Sequence, residues 1–502
     1  MSGHSLQLRR TDRVGVQVRC PFGARTVTPA RQQTVRGSAV PSAPRCAHVR
    51  PPLFLNRLLT ICDTSFRLLK RCLSLLRVAA RRQKLILRTL LYWRSGIACS
   101  GTTYVIGELE MKLKNLAIGS ALLFTGVAHA QSSVTLYGTI DTSMVYANNV
   151  KTSTGQGASQ FMLSSGSLST SRWGLRGNED LGGGLHAVFD LENGFTLNNG
   201  ALKNSTAAQT DLFGRQAWVG LSSNQYGALT LGRQYDFMVD YVAPNSGTGS
   251  GFGGNLAAHP YDNDNLDNDL RLNNSVKFSS ISYGGFKAGA MYAFSNMAGA
   301  GGDNNAYSLG ASYSNGPINI GAAYLQLNRD AALPNAAGAS SINDGDQLAG
   351  GGDQRIWGAS AQYKFGEKST VGLVYTHSVT YNINSLFGAT NTISGQSMKF
   401  DNFEVNGRYF VRPDFSLGAS YTYTMGAFSG GSTGPAADPH WNNFVVQADY
   451  QFSARTDVYA QAVYQLVGGG NGNAIFNAGV YGMTQSSTNK QLVTAIGLRH
   501  RF

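Results

Sequence analysis

Segments of about ten residues in which apolar and polar side chains alternate recur from residue 131 to the end of the chain, separated by Gly-rich turns. In the segment 415–424 one face carries Phe, Leu, Ala, Tyr and Tyr, and the other carries Ser, Gly, Ser, Thr and Thr. A period of two indicates β-strands with two unlike faces. A soluble sandwich buries its apolar face, whereas a barrel in lipid turns that face outward and lines its interior with the polar one. The pattern predicts such a barrel.

The alternating segments predict sixteen strands, an even number that closes a barrel with both termini on one side. They lie near 133–147, 169–179, 184–196, 212–222, 226–235, 271–283, 285–295, 305–314, 316–328, 353–365, 369–382, 398–411, 414–427, 440–452, 455–468 and 489–502. Short turns alternate with long loops rich in Gly, Ser, Asn and Ala, among them 148–168 and 236–270. We therefore expect an all-β, 16-stranded antiparallel transmembrane β-barrel with short periplasmic turns and long external loops.

Composition divides the chain into three regions. Residues 1–110 hold all five cysteines and 19 Lys and Arg against 4 Asp and Glu, whereas 131–502 holds 20 against 24 and is mildly acidic. The overall net charge of +13 therefore does not describe the barrel region, and nucleic acid is not an expected partner. A barrel region without cysteine has no disulfide and offers no thiolate for metal binding or catalysis.

Residues 111–130 have a positive start, a mostly apolar run and a small-x-small end, which predicts a signal peptide cleaved after Ala130. A short buried helix is the alternative, because this run is too short to span a bilayer. Residues 1–110 are Arg-rich without sustained periodicity, and we expect them to be a non-native extension from an over-extended start site. A basic arm that acts in the cytosol or on nucleic acid is the alternative.

Several stretches resemble the Gram-negative general-diffusion porins, in particular those of beta-proteobacteria. They are SSVTLYGTID at 132–141, SRWGLRGNEDLGGGL at 171–185, LENGF at 191–195, FGRQAWVGL at 213–221, GALTLGRQYD at 227–236 and GLRHRF at 497–502. The resemblance covers essentially all of 131–502 and the signal. It implies an outer-membrane homotrimer of water-filled pores, each narrowed by its third external loop, that passes small hydrophilic solutes and ions without a cofactor. It also implies contact with lipid and lipopolysaccharide, and Phe502 resembles the signal read by the barrel-assembly machinery.

Arginines on two strands are candidates for the wall of the pore. Arg172 and Arg176 share one face of the second strand, and alternation places Arg215 with Ala217 and Val219 on the fourth. By resemblance, Arg172, Arg215 and Arg271 match an arginine ladder at the constriction, while alternation alone adds Arg176. The alternative is that these arginines lie at strand ends or pair with nearby acids, which are Glu179, Asp180 and Asp211.

The third loop, 236–270, is the longest connection, and its segment 241–261 contains no Asp or Glu. Porins with cation preference carry carboxylates there, facing the arginines. With the ladder unopposed we expect a weak anion preference, because fixed charge biases which ions enter a narrow pore. Asp240 and Asn255 are the candidate constriction-loop residues. Arg233 alternates with Leu229 and Leu231, and we expect it to brace the base of the loop.

Asp262, Asp264 and Asp267 suggest calcium, but the Gly and terminal Glu of an EF-hand are missing at the right spacing. A solvated loop is therefore expected and no metal site is predicted, with weak binding of divalent cations at the loop as the alternative. A barrel enzyme is a rival function, yet the five histidines of 131–502 lie in no recognisable nucleophile motif, so no catalytic residue is predicted. A surface adhesin or interaction protein acting through the loops is the second rival.

Overall fold

The computed structural model describes residues 132–203, 211–329, 338–339, 352–383, 385–386, 389–390, 396–429 and 436–502. The N-terminal extension, the signal peptide and Ala130 lie outside the described residues. Within these ranges the chain is almost entirely β-structure.

Twenty strands are described, and sixteen of them form one closed antiparallel barrel. In chain order they are β1 Ser133–Lys151, β2 Gly157–Ser165, β3 Arg172–Gly182, β4 Leu185–Phe195, β5 Leu202–Lys203, β6 Gln216–Ser223, β7 Gly227–Gln234, β8 Leu272–Ser280, β9 Phe286–Ala293, β10 Asn305–Asn315, β11 Ile318–Asn328, β12 Gln354–Phe365, β13 Ser369–Ile383, β14 Ser385–Leu386, β15 Ala389–Thr390, β16 Gln396–Arg412, β17 Phe415–Phe428, β18 His440–Gln451, β19 Thr456–Gly468 and β20 Lys490–Arg501. The four strands outside the barrel are β2, β5, β14 and β15. The sixteen barrel strands are those expected from the alternation, with bounds that differ by a few residues.

The barrel closes where the first strand pairs with the last. Thr139 lies opposite Arg501 and Ala147 lies opposite Val493 in an antiparallel ladder. The other edge of β1 pairs with β3 and then, further along, with β2. Closure satisfies the backbone groups that an open sheet edge would leave unpaired in lipid.

One prediction for the long connections is wrong. The segment 148–168 was expected to be an irregular loop, but β1 continues to Lys151 and β2 pairs back on it from Gly157 to Ser165. The connection is therefore a hairpin that extends the sheet beyond the barrel. Its outward side chains keep the alternation, so Met144 and Phe161 are both exposed.

Alternation separates an apolar outer surface from a polar interior. On β18 the outward face includes Phe444 and Val446, which are exposed, whereas Gln447 and Asp449 are buried on the inward face. The same division holds on the other wall strands, so large apolar side chains are exposed around the barrel. Such a surface suits a protein surrounded by acyl chains.

The connection between β7 and β8 folds into the barrel and packs on the inner wall. It contains short helical turns at Met238–Val242, Ala243–Asn245, Gly254–Ala257 and Pro260–Asp262, and a further turn, Ala474–Phe476, lies before β20. Phe237, Met238 and Val242 pack against inward side chains such as Leu325 and Ile356. Among the residues that the structure describes, no helix has the length and apolar character needed to cross a membrane.

Candidate functional site

The third connection, 235–271, is held to the inner wall by side chains that the barrel strands point inward. Ser360 on β12 donates its hydroxyl to the carbonyl of Val242 at 3.0 Å. Asn406 on β16 donates its amide to the carbonyl of Asn245 at 2.9 Å. Further along, Gln447 on β18 accepts from the backbone N–H of Gly253 at 2.8 Å. The connection therefore follows the inside of the wall from β12 towards β18.

A buried imidazole fastens the middle of the same connection. His259 Nδ1 lies 2.6 Å from Asp264 Oδ2, and its Nε2 lies 2.8 Å from Glu404 Oε2 on β16. Thr376 on β13 donates a hydrogen bond to the same oxygen of Asp264. Burial alone lowers the pKa of His259, but the two carboxylates outweigh it and raise the pKa to about 10. The group is therefore an imidazolium between two carboxylates at neutral pH.

The acidic run of the connection is buried, which contradicts the expectation of a solvated loop. Asp262 accepts the backbone N–H groups of Asp267 and Asp269 at 2.9 and 3.0 Å, and Asp264 contacts His259. Burial raises the pKa of Asp262 well above its usual range, with the charge of Asp267 adding to the effect. For Asp264, burial favours a higher pKa, but the adjacent imidazolium brings it below the ordinary value. These acids organise the loop from inside, because backbone N–H groups bind Asp262 and the imidazole of His259 binds Asp264.

Several wall strands carry glycine where the connection packs on them, and β10 and β11 are two of these. A Cβ on Gly310 of β10 would lie 2.6 Å from Phe237 Cβ and 2.7 Å from Tyr241 Cδ2. A Cβ on Gly321 of β11 would overlap the carbonyl oxygen of Tyr241. Close approach of the connection to the wall therefore requires glycine at both positions.

The wall formed by β1, β3 and β4 carries two inward arginines that were expected from the sequence. Arg176 Nη2 lies 2.8 Å from Asp190 Oδ2, and Arg172 Nε lies 3.4 Å from Glu192 Oε2. The guanidinium of Arg176 also lies over the ring of Tyr137, 4.6 Å from its centroid. The ladder is therefore opposed by acids of the wall itself, which corrects the expectation that it is unopposed.

Each of these arginines is much more exposed than the acid with which it pairs. The side chain of Arg176 is 60% exposed and that of Asp190 is 2% exposed, and the values for Arg172 and Glu192 are 31% and 5%. The acids lie beneath the arginines, so water in the lumen meets the guanidinium groups first. Although both arginines are paired, the side chains that meet water at this wall are therefore mainly the positive ones.

The terminal strand supplies a third exposed arginine that the sequence reasoning missed. Arg501 Nη1 lies 2.8 Å from Asp457 Oδ1, with side-chain exposures of 40% and 1%. Arg501 and Arg172 both pair with Thr139, one from each side of β1, so the two arginines lie on one inward row. The sequence contains a signal for this inward face, because Leu498 and His500 alternate with Arg499 and Arg501.

Arg215 and Arg271 were expected to line the pore, but both are buried. They are only 4% and 1% exposed. Arg215 donates to Glu192 at 2.6 Å and to Tyr235 at 2.6 Å, while Arg271 donates to Asn268 at 2.7 Å. Both guanidinium groups thus lie at the base of the third connection rather than open to water.

The prediction that Arg215 shares a strand face with Ala217 and Val219 is also wrong. Val219 is exposed on the outward face, and Ala217 shares that face. Arg215 precedes β6. Its backbone N–H donates to the carbonyl of Glu192 at 3.2 Å, and its side chain turns inward to the carboxylate of the same residue.

The remaining candidates surround the same connection. Arg233 donates to the carbonyl of Arg271 at 3.2 Å and to Asn273 at 2.5 Å, at the end of the connection. Lys277 Nζ lies 2.5 Å from Asp240 Oδ2. Asn255 donates to the carbonyl of Gly166 at 2.8 Å, so the far end of the connection contacts the segment after β2.

The last residue closes the sheet. The backbone N–H and carbonyl of Phe502 both pair with Gly138 at 3.1 Å, and a Cβ on Gly138 would collide with the Phe502 ring. Among the described residues, no group of three or more His, Cys, Asp or Glu side chains has an arrangement that could hold a metal ion.

Comparison with known proteins decides the family. The sequence profile of the Gram-negative porins matches residues 117–469. The chain belongs to the Gram-negative porin family. An outer membrane porin of Bordetella pertussis is 32% identical over 431 residues, which is 78% of this porin and all of the relative. Outer membrane porin protein 32 of Delftia acidovorans is 36% identical over 218 residues, covering 41% of this chain and 57% of the relative.

A solved structure shows the same fold. The anion-selective porin from Comamonas acidovorans aligns with a TM-score of 0.55 and 23% identity, covering 74% of this chain and all of that one. The closed barrel and the family together establish a porin of the outer membrane, a channel for passive diffusion rather than an enzyme.

Proposed function

We propose that the porin favours small anions, and that the inward arginines Arg172, Arg176 and Arg501 set this preference. The supporting observation is the difference in exposure between each guanidinium and the carboxylate beneath it. The Debye length at physiological salt is about 8 Å, so fixed charge acts on ions only where the passage is narrow. In this proposal Arg215, Arg233 and Arg271 fix the base of the third connection, while Asp240 and Asn255 fix it to the barrel at points further along.

The relative from Comamonas acidovorans is named as anion-selective, which agrees with this proposal at the level of the fold. We further propose that three barrels associate as a homotrimer, surrounded by membrane lipid and lipopolysaccharide. Phe502 is proposed to serve as the recognition signal for the barrel-assembly machinery. The support for these partners is family resemblance.

Reversal potentials in a KCl gradient across a planar bilayer test the preference. We expect the wild-type protein to pass chloride over potassium and Arg176→Gln to lower the ratio. Arg176→Lys, which keeps the charge, should retain most of it. Arg412 is equally exposed, at 60%, but lies at a short turn beside Asp414, so Arg412→Gln is a matched control. Potassium preference in the wild-type channel, or equal effects of the Arg176 and Arg412 variants, would contradict the proposal.

A further inference from the structure

The outward face of β12, β13 and β16 carries ionisable side chains at one level, which is unusual on a surface that faces lipid. Arg355 and Lys399 both lie opposite Val379, one from each neighbouring strand, and both are exposed. Strand spacing puts their Cα atoms about 10 Å apart. Among the described residues, no carboxylate lies within ion-pair distance of either cation.

The next row towards the short turns joins Trp357, His377 and Asp401. His377 Nδ1 lies 2.7 Å from Asp401 Oδ1, and Tyr375 donates its hydroxyl to the same oxygen at 2.8 Å. The ring of Trp357 lies 5.6 Å from that of His377. Asp401 is therefore engaged by the protein. Above it the guanidinium of Arg355 lies over the ring of Tyr381, 5.5 Å from its centroid, and no carboxylate of the described ranges pairs with Arg355 or Lys399.

The depth of the patch follows from the residues below it. Outward positions on β16 from Phe403 to Val411 bear no charge, which spans about 20 Å along the membrane normal for a tilted strand. Lys and Arg cost about 2–4 kcal/mol at mid-bilayer and almost nothing at the interface. The cations therefore lie at the edge of the hydrocarbon, on the side of the long connections.

An apolar groove runs directly beneath this row. Its floor is Ala359 and Ala361, its sides include Leu373, Phe403 and Val405, and its volume is about 610 Å³. The small alanines between larger neighbours create the depression. It opens towards the surrounding membrane, below the two cations.

We propose that this face binds one phosphorylated, acylated glycolipid of the outer leaflet. Its phosphate lies between Arg355 and Lys399, its sugar against Trp357, and an acyl chain in the groove. Charge complementarity selects this occupant, because a second barrel would have to bury two cations that no carboxylate of the described residues neutralises. The site rests on the proposal that lipopolysaccharide surrounds the barrel.

Native mass spectrometry of the full protein in detergent, titrated with diphosphorylated lipid A, tests the site. We expect one high-affinity lipid per barrel, and at least a tenfold weaker affinity for the Arg355→Gln, Lys399→Gln double variant. Ala361→Phe, which fills the groove, should weaken binding as well. Lys490 is exposed and outward at the same end of a distant strand, so Lys490→Gln should change the affinity less than twofold.

Several outcomes would overturn the site. Equal affinity of the double variant and Lys490→Gln would do so, as would equal binding of dephosphorylated lipid A. Full competition by inorganic phosphate would indicate a simple anion site, and dissociation of the oligomer without loss of lipid would indicate a subunit interface.

The conservative variant Arg355→Lys, Lys399→Arg should retain binding, which separates charge from misfolding. Reversal potentials do not depend on this face, so failure here leaves the anion preference standing.

Discussion

At the scale of single residues, the interior of this porin is organised by buried charge rather than by apolar contact alone. His259 is held between Asp264 and Glu404, and the inward arginines Arg172, Arg176 and Arg501 each pair with a buried carboxylate. A buried ion pair contributes little net stability, but removing one partner leaves the other charge uncompensated. The effect of a substitution therefore depends on which partner remains.

Glu404→Gln should loosen the third connection, because the imidazolium of His259 loses one of its two carboxylates. Breaking a buried pair in this way costs about 3–5 kcal/mol. We expect a lower unfolding temperature in detergent and more current noise in single channels. Glu367 is exposed in the short turn after β12, so Glu367→Gln should change neither quantity. Current noise in Glu404→Gln as low as in the wild-type channel would argue against this anchor.

The same anchor should respond to alkaline pH. The pKa of His259 is raised to about 10 in the folded protein, against about 6.5 when exposed. The stabilisation is therefore complete below about pH 6.5 and is lost as pH rises through about 10. We expect the unfolding temperature to fall over this range in the wild type more than in His259→Gln. Parallel pH curves for the two proteins would refute the assignment.

At the scale of elements, the third connection and the wall strands are fitted to each other. Inward polar side chains receive the backbone of the connection, and glycines make room for it on β10 and β11. The connection therefore narrows the lumen where it packs against the wall from β10 to β19.

Gly321→Ala should displace the connection at Tyr241, because the new Cβ would occupy the position of its carbonyl oxygen. Overpacking of this kind costs about 1–3 kcal/mol. We expect an altered single-channel conductance together with lower thermal stability. Gly407 on β16 faces outward and its nearest neighbour is 3.3 Å away, so Gly407→Ala should have a much smaller effect. Identical conductance in Gly321→Ala would show that the connection yields without narrowing or widening the passage.

At the scale of the whole molecule, stability depends on lipid around the outer face. The large apolar side chains that a soluble protein would bury are exposed on the barrel surface. The ladder between β1 and β20 removes the sheet edges, so the barrel can lie in hydrocarbon without unpaired backbone groups.

Leu373→Arg should hinder folding into bilayers, because Leu373 faces outward near mid-depth and a cation there costs about 2–4 kcal/mol. Val379 faces outward on the same strand at the level of Arg355, where the cost falls to about 0–1 kcal/mol, so Val379→Arg is the control. Folding yield into lipid vesicles, read from the heat-dependent shift in gel migration, measures the difference. Equal yields would contradict the outward placement of Leu373.

The sequence by itself determined the barrel, because alternation with a period of two is a local property, and an even number of such strands closes a barrel with both termini on one side. It also identified Arg172 and Arg176, whose inward direction follows from alternation within β3. Only the tertiary structure decided which acids lie beneath them, since Asp190 and Glu192 meet them through cross-strand register. The burial of Arg215, the anchor at His259 and the place of Arg501 beside Arg172 likewise depend on contacts between distant segments, which no local pattern specifies.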